Sequence, residues 1–287
     1  SRFAVPSISP GVISWFNCAV LRTMSPELVF WLALTIKMAV TALFVSVATT
    51  IAERLGAVAG ALVATLPVSA GPVYVFLALD HDAPFISASA VASLALNTAT
   101  AIFITVYVLT AQRRSLWISL SLAMTIWLAV TLALVPIQWT APSASVLNLI
   151  VFVLCLWIVK PYGRVAMPPT IRPWYDFVMR AGLVALLVGA VVTLSFRIGP
   201  TGSGVLAVFP VIYTSMMLIL HRRVGGPATA AVLANAVFGL AGFGVALLTL
   251  HLAAVPLGSV LALIAALSVS VAWNAGLYIA RHRESLA

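Results

Sequence analysis

The stretch FRIGPTGSGVLAVFP, residues 196–210, decides the fold, because an earlier part of the chain repeats its pattern. Residues 53–67 read ERLGAVAGALVATLP. Shifting the chain by 143 residues aligns positions 31–84 with positions 174–227 without a gap. Rare residues that keep one register indicate an internal duplication. The matched rare residues include Trp31 with Trp174, Arg54 with Arg197, Gly56 with Gly199, Pro67 with Pro210, and Pro84 with Pro227.

The composition places the chain in a membrane. Hydrophobic residues make up 63% of it, charged residues make up 7%, and the mean hydropathy is +1.17. Soluble globular chains carry several times more charge, and apolar windows long enough to cross a bilayer recur along nearly the whole sequence. We predict one membrane domain over residues 1–287, with residues 1–26 at the interface. The net charge of +9 is explained by membrane topology, so no nucleic-acid partner is expected.

Nine transmembrane helices are predicted. They lie near residues 28–52, 57–79, 84–111, 115–136, 144–160, 175–196, 201–221, 227–250 and 256–280. Ten arginines and lysines fall at one side of these spans and three at the other. Because positive residues collect on the cytoplasmic side, the pattern predicts a multi-pass protein of the bacterial inner membrane. Its C-terminus would lie in the cytoplasm and its N-terminus outside; if residues 10–24 also cross, the N-terminus moves inside.

The duplication predicts two inverted halves. Repeat 1 covers residues 27–136 and repeat 2 covers residues 174–280, with a connecting helix at residues 144–160. The second copy begins five spans after the first, and an odd offset reverses its orientation in the bilayer. The predicted fold is therefore an all-α polytopic membrane protein made of two inverted four-helix repeats and a connecting helix. Secondary transporters are often built in this way.

The second copy also resembles GlpM-like membrane proteins. The resemblance rests on VMRAGLV at residues 178–184, GVLAVFP at residues 204–210, and the later His221 and Trp273. The first copy resembles a diverged version, with GALVATLP at residues 60–67. The resemblance implies a four-helix unit that pairs antiparallel with a second copy, and it implies no particular substrate.

Two basic residues lie inside predicted spans. Lys37 is about ten residues into the first span, and Arg180 is about one turn into the sixth. A cation near the bilayer centre costs roughly 2.5 to 3.5 kcal/mol, so such residues usually face a partner or a watery cavity. We interpret both as substrate-binding residues for an anionic or polar group. Snorkelling of the long side chains to the headgroups is the alternative.

Two prolines and two asparagines complete the candidate binding site. Pro67 and Pro210 fall near the middle of the second and seventh spans, where each removes a backbone hydrogen bond and leaves the carbonyl four residues earlier, Leu206 in the second copy, without its helical donor. Paired helix breaks in inverted halves indicate a transporter binding site, although packing can also accommodate a kink. Asn97 and Asn235 would line the same cavity or join helices by hydrogen bonds.

The glycine-rich turns form a candidate gate or vestibule. Arg197 and Gly199 stand before Pro200, which suits the first turn of a helix whose N–H groups favour an anion. Arg54 and Gly56 are the cytoplasmic counterparts in the first copy. Close helix packing through the small residues is the alternative interpretation.

No enzyme chemistry is indicated. The carboxylates are predicted at or near membrane boundaries, and no nucleophile, base and orienting acid occur in a known catalytic pattern. Cys18 and Cys155 lack paired spacing, so no metal site or disulfide is expected, and both should be buried. His81 and His221 are the residues able to titrate in a useful range if transport is coupled to protons. No cofactor is predicted.

The sequence therefore predicts a secondary transporter or facilitator for a small anionic or polar metabolite, working by alternating access between inverted repeats. The alternative is a non-catalytic accessory or scaffold subunit of a membrane complex for envelope or polysaccharide synthesis. Lipid and a small-molecule substrate are the expected partners, and a homodimer is left open.

Overall fold

The computed structural model describes residues 25–54, 70–164 and 174–284, and these residues form helices and no strand. The helices are α1 (Pro26–Arg54), α2 (Ala70–Asp80), α3 (Ala83–Thr110), α4 (Leu116–Leu134), α5 (Ala141–Val159), α6 (Trp174–Ala207), α7 (Val211–Leu257) and α8 (Ser259–Glu284), with a short 3₁₀ helix Lys160–Arg164 after α5. Within the described residues, six helical segments are long and apolar enough to cross a membrane. Many of their large apolar side chains are exposed, as lipid-facing residues are. The prediction of an all-helical membrane protein is confirmed in this form.

Local sequence signals explain where the helices begin. Asp82 caps α3, and its side chain accepts a hydrogen bond from the N–H of Phe85. Thr140 and Ser143 form a capping box at the start of α5. Both helices carry a proline in the first turn, where no hydrogen-bond donor is needed.

Two glycines divide the long helices. Gly199 in α6 has φ 66° and ψ −171°, and Gly225 in α7 has φ 81° and ψ 169°. Such angles are adopted almost only by glycine. The kinks leave residues 200–207 as a short helix after the main part of α6, and they split α7 into residues 211–224 and 226–257.

Pro210 interrupts the helix between residues 200–207 and residues 211–224, as its position in the sequence predicts. Helix α6 ends at Ala207 and α7 starts at Val211. We expected the carbonyl of Leu206 to lack a donor, and this prediction is wrong. The chain forms a tight turn, in which the N–H of Phe209 donates to that carbonyl at 3.1 Å. The region around Pro67 and Gly56 lies outside the described residues.

Helix α3 and residues 226–257 of α7 form the centre of the fold and run antiparallel. Ser87, near the start of α3, bonds to His251, near the end of α7. Asn97, at the middle of α3, bonds to the carbonyl of Leu240, and the carbonyl after the end of α3 lies against Gly226. Most residues of helix α3 are buried, whereas α1, α4, α5 and α8 expose a large apolar face.

Candidate functional site

Hydroxyls on α3 face residues 200–224, which we call the broken helix because Pro210 interrupts it. The Thr100 hydroxyl donates to the carbonyl of Val208 at 3.1 Å, within the non-helical segment before Pro210. It also accepts a long bond from the indole N–H of Trp127 on α4. Non-helical backbone at membrane depth needs a protein or water partner. Thr100 supplies that partner here.

A second hydrogen-bonded group, about two turns before Thr100 along α3, joins three helices. The Ser93 hydroxyl on α3 donates to the carbonyl of Gly204 at 2.8 Å. This bond uses the only proton of the Ser93 hydroxyl. The Tyr74 hydroxyl of α2 must therefore be the donor in the 2.6 Å hydrogen bond between Tyr74 and Ser93. Tyr74 and Ser93 are at most 2% exposed. We call Tyr74, Ser93, Thr100 and the carbonyls of Gly204 and Val208 the central network.

Glycine at position 204 lets the short helix lie directly on α3. A Cβ at Gly204 would be 2.5 Å from the carbonyl oxygen of Ser89 and 2.9 Å from the Cβ of Ala92. The hydroxyl of Ser89 is buried and has no hydrogen-bond partner within the described part of the chain. Ser89, Ser93 and Thr100 share one helix face because their spacings of four and seven residues bring them nearly in line. Because Gly204 allows this close approach, the broken helix packs on the polar face of α3.

Asn97 lies at the crossing of α3 and α7. Its side chain is fully buried, and its amide nitrogen donates to the carbonyl of Leu240 at 3.2 Å. The side-chain oxygen has no partner among the residues that the structure describes. Asn148 of α5 donates to the carbonyl of Leu94 close by, at 2.6 Å. Helix α5 thus contacts the crossing of α3 and α7 through this hydrogen bond.

Asn235 does not share this arrangement. It is partly buried in α7 and donates to the carbonyl of Gly163, in the 3₁₀ helix that follows α5, and to the carbonyl of Ala231. Asn97 and Asn235 therefore each join helices, but the structure does not bring them into one hydrogen-bonded group. A cavity lined by both stays a prediction.

Lys37 forms a buried ion pair with Asp80. Its ammonium nitrogen lies 2.6 Å from both carboxylate oxygens at the end of α2, and both side chains are 11% exposed. The ring of Phe76 lies 5.8 Å from the same nitrogen. Lys37 thus contacts a carboxylate in place of lipid headgroups, and its charge is compensated inside the protein.

His81 follows Asp80 in the turn between α2 and α3 and connects this turn to α6. Its Nε2 atom lies 2.9 Å from the hydroxyl of Ser195. The ring stacks on Phe85 at 3.8 Å and contacts Phe196. Burial is the largest influence on the pKa of His81 and lowers it below 6.5; Asp80 and Asp82 oppose this and Lys37 adds to it. We call Lys37, Asp80, His81 and Ser195 the outer cluster, because the topology predicted from the sequence puts this turn outside.

The remaining predicted residues are not part of either group. Arg180 is partly buried on α6, and Arg197 is exposed two residues before the kink at Gly199. Arg54 is the last residue of α1, and Gly56 and Pro67 fall outside the described residues. The gate or vestibule therefore stays a prediction. Cys155 is buried, as expected, whereas Cys18 is not among the described residues.

Sequence reasoning missed several members of these groups. Ser93 and Thr100 carried a usable signal, since hydroxyl residues recur along one face of an otherwise apolar helix. Asp80 was recognised only as a boundary residue, and Tyr74 gave no signal of its own.

Comparison with known proteins adds no relative. No protein-family model matches the chain, and no match is found among curated proteins or solved structures. The resemblance to GlpM-like proteins stays a prediction, so the case for a function depends on the geometry alone.

Proposed function

We propose that the protein is a secondary transporter or facilitator that moves a small anionic or polar metabolite by alternating access between two inverted repeats. The single observation that carries the proposal is the bond between Asn97 and Leu240, which are 143 positions apart. That separation is the offset of the sequence duplication. A residue touches its own counterpart only beside the axis that relates the two copies.

The helix ends support the same relation. The second segment of α7 and helix α8 start 143 positions after α3 and α4, at Gly226 and Ser259. Asn97 lies at the midpoint of α3, and α3 is antiparallel to its counterpart. An axis through the middle of two antiparallel membrane helices lies in the membrane plane. This is the symmetry of inverted-repeat transporters.

The central network supports a transport path. It joins α2 of the first copy to the broken helix of the second through α3. Its carbonyls are held by side-chain hydroxyls, and such bonds can be exchanged for bonds to a polar substrate when the halves move.

The charges at the two ends support an anionic substrate. Lys37 pairs with Asp80 at one end of the fold. The positions 143 residues later hold Arg180 and Arg223, both partly buried. These four positions thus hold three cations and one carboxylate. Such an excess of positive charge favours an anionic substrate over a cationic one.

The distribution of positive charge supports an inner-membrane location with a cytoplasmic C-terminus. Cysteine labelling tests it. Gln138 and Arg114 are exposed at opposite ends of α4. In a chain without its natural cysteines, we expect a membrane-impermeant maleimide to label Gln138→Cys in intact spheroplasts and Arg114→Cys only after permeabilisation. The reverse pattern would contradict the orientation.

Transport is tested in proteoliposomes, with labelled inorganic phosphate, acetate and succinate as probes. A comparison of metabolites in cells with and without the protein identifies further probes. The Thr100→Val variant removes the donor to the Val208 carbonyl and leaves that buried oxygen unsatisfied, at a cost of about 1 to 3 kcal/mol. Since that contact holds the broken helix, we expect uptake of any transported probe to fall about tenfold or more.

Thr105→Val is the matched control, because the Thr105 hydroxyl bonds to a carbonyl of its own helix and to the side chain of Cys155, neither of which belongs to the central network. Its uptake should stay within about twofold of the wild type. If no probe moves and no metabolite changes its distribution, the proposal is wrong and the helices only pack. Equal losses of uptake in the two variants would show that the central network is not part of the transport path.

A further inference from the structure

Three exposed arginines lie together at one end of the fold. Arg113 and Arg114 are in the turn between α3 and α4, where the N–H groups of both donate to the carbonyl of Thr110. Arg222, near the end of the broken helix, is also exposed. Its guanidinium carbon lies 5.4 Å from the centre of the ring of Trp117, in the first turn of α4. The arginine of the broken helix therefore lies beside the turn that carries the other two.

Buried contacts fix this arrangement. The carbonyl of Ala111, at the start of the turn, lies so close to Gly226 that a Cβ at that glycine would clash with it. The Tyr107 hydroxyl, one turn earlier in α3, lies 2.6 Å from the Nδ1 atom of His221, the residue before Arg222. Both contacts join the end of α3 to α7 on either side of the kink at residue 225. The backbone that carries the arginines is thus held in place, although their side chains are exposed.

These positive charges have no acidic partner in their own helices. No aspartate or glutamate occurs in residues 83–175 or 177–283, which include the whole of α3, α4 and α7. Within the described parts of the chain, the side chains of Arg113, Arg114 and Arg222 form no ion pair or hydrogen bond. This end of the fold therefore has an excess of positive charge that attracts anions.

The residues beside the arginines are suited to a lipid ligand. Trp117 is 58% exposed, and tryptophan favours the membrane interface, where its ring faces the acyl chains and its N–H group faces water. Ile118 and Leu122 are exposed one turn apart on α4, so an apolar surface leads from the arginines along this helix. A ligand at this place can contact the arginines with an anionic group and α4 with an apolar chain. A phospholipid has both parts, whereas free phosphate has only the first.

We propose that Arg113, Arg114, Arg222 and Trp117 bind the phosphate group of an anionic phospholipid, and we call these four residues the lipid site. Stacking on Trp117 leaves the N–H groups at the edge of the Arg222 guanidinium available for two parallel hydrogen bonds to phosphate. Arg113 and Arg114 add the attraction that favours an anionic headgroup over a zwitterionic one. This inference does not depend on the proposed transport function.

Native mass spectrometry of the full chain in a non-ionic detergent tests the lipid site, with phosphatidylglycerol and phosphatidylcholine compared at equal concentrations. In the wild type, we expect phosphatidylglycerol to bind at least about fivefold more tightly. Arg222→Gln should weaken its binding about fivefold, because one arginine near the membrane surface is lost. Trp117→Leu keeps an apolar side chain but removes the aromatic face, so a loss of about twofold is expected.

Arg197→Gln is the matched control. It also removes one exposed arginine, but the neighbouring Phe196 contacts His81, before the start of α3, and so lies at the other end of that helix. Binding of phosphatidylglycerol should stay within about twofold of the wild type. A large excess of inorganic phosphate should not displace the lipid, because phosphate lacks the acyl chains that contact α4.

Three results would overturn the proposal. If the wild type bound the two lipids equally, the arginines would not select an anionic headgroup. If Arg197→Gln weakened binding as much as Arg222→Gln, the lipid would respond only to the total positive charge of the chain. If inorganic phosphate displaced phosphatidylglycerol, the ligand would be free phosphate. All the substituted side chains are exposed, and an unchanged midpoint of thermal unfolding shows that each variant is folded.

Discussion

Replacing Asp80 with asparagine should lower the free energy of unfolding by about 3 kcal/mol, because breaking one side of a buried ion pair leaves the other charge without a partner. Lys37 lies in apolar surroundings, and both of its close contacts with the carboxylate would lose their charge. Reversible unfolding of the purified protein in mixed micelles, followed by circular dichroism, measures the change.

Asp82→Asn is the matched control. It removes a carboxylate two residues away, but Asp82 is exposed and asparagine caps a helix as well as aspartate does. We expect a change below about 0.5 kcal/mol. Equal losses in the two variants would mean that the ion pair adds nothing beyond ordinary surface charge.

The double variant Lys37→Met/Asp80→Leu sharpens the result. Replacing both members of a buried pair with apolar side chains of similar size is often neutral or stabilising. Its free energy of unfolding should therefore exceed that of Asp80→Asn.

Gly226→Ala should cost about 2 kcal/mol or more, since extra atoms in a well-packed contact force backbone shifts. A Cβ at this position would meet the carbonyl group of Ala111, which is backbone and has no rotamer to change. This contact lies at one end of the antiparallel pair formed by α3 and α7. The same unfolding measurement applies.

Gly276→Ala provides the contrast on α8. A Cβ there meets nothing within 4 Å, so alanine should stabilise the helix by up to about 1 kcal/mol through its higher helix propensity. If Gly276→Ala lowered the free energy of unfolding as much as Gly226→Ala does, the close approach of α3 and α7 would not be the cause of the loss.

Part of the candidate site was accessible from the sequence and part was not. Pro210 predicted the break because proline lacks an N–H wherever it stands, and the broken segment is present. Lys37 was expected to bind an anionic or polar substrate group or to snorkel to the headgroups, and its ion pair with Asp80 was not foreseen. Asp80 lies 43 positions away, and no local pattern joins the two residues. Asn97 and Asn235 were expected to line one cavity or to join helices by hydrogen bonds, and each does join helices, Asn235 through the carbonyl of Gly163.

The sequence by itself determined that the chain is helical and lies in a membrane, and it determined where most helices start and end. These properties follow from local causes, namely hydropathy over about 20 residues, capping side chains and the restricted backbone of proline. The tertiary structure alone decided which polar groups meet, as Ser93 meets Gly204, 111 positions away. Helices of similar hydropathy can exchange neighbours at little cost, and only the shape of their packed faces selects the pairs.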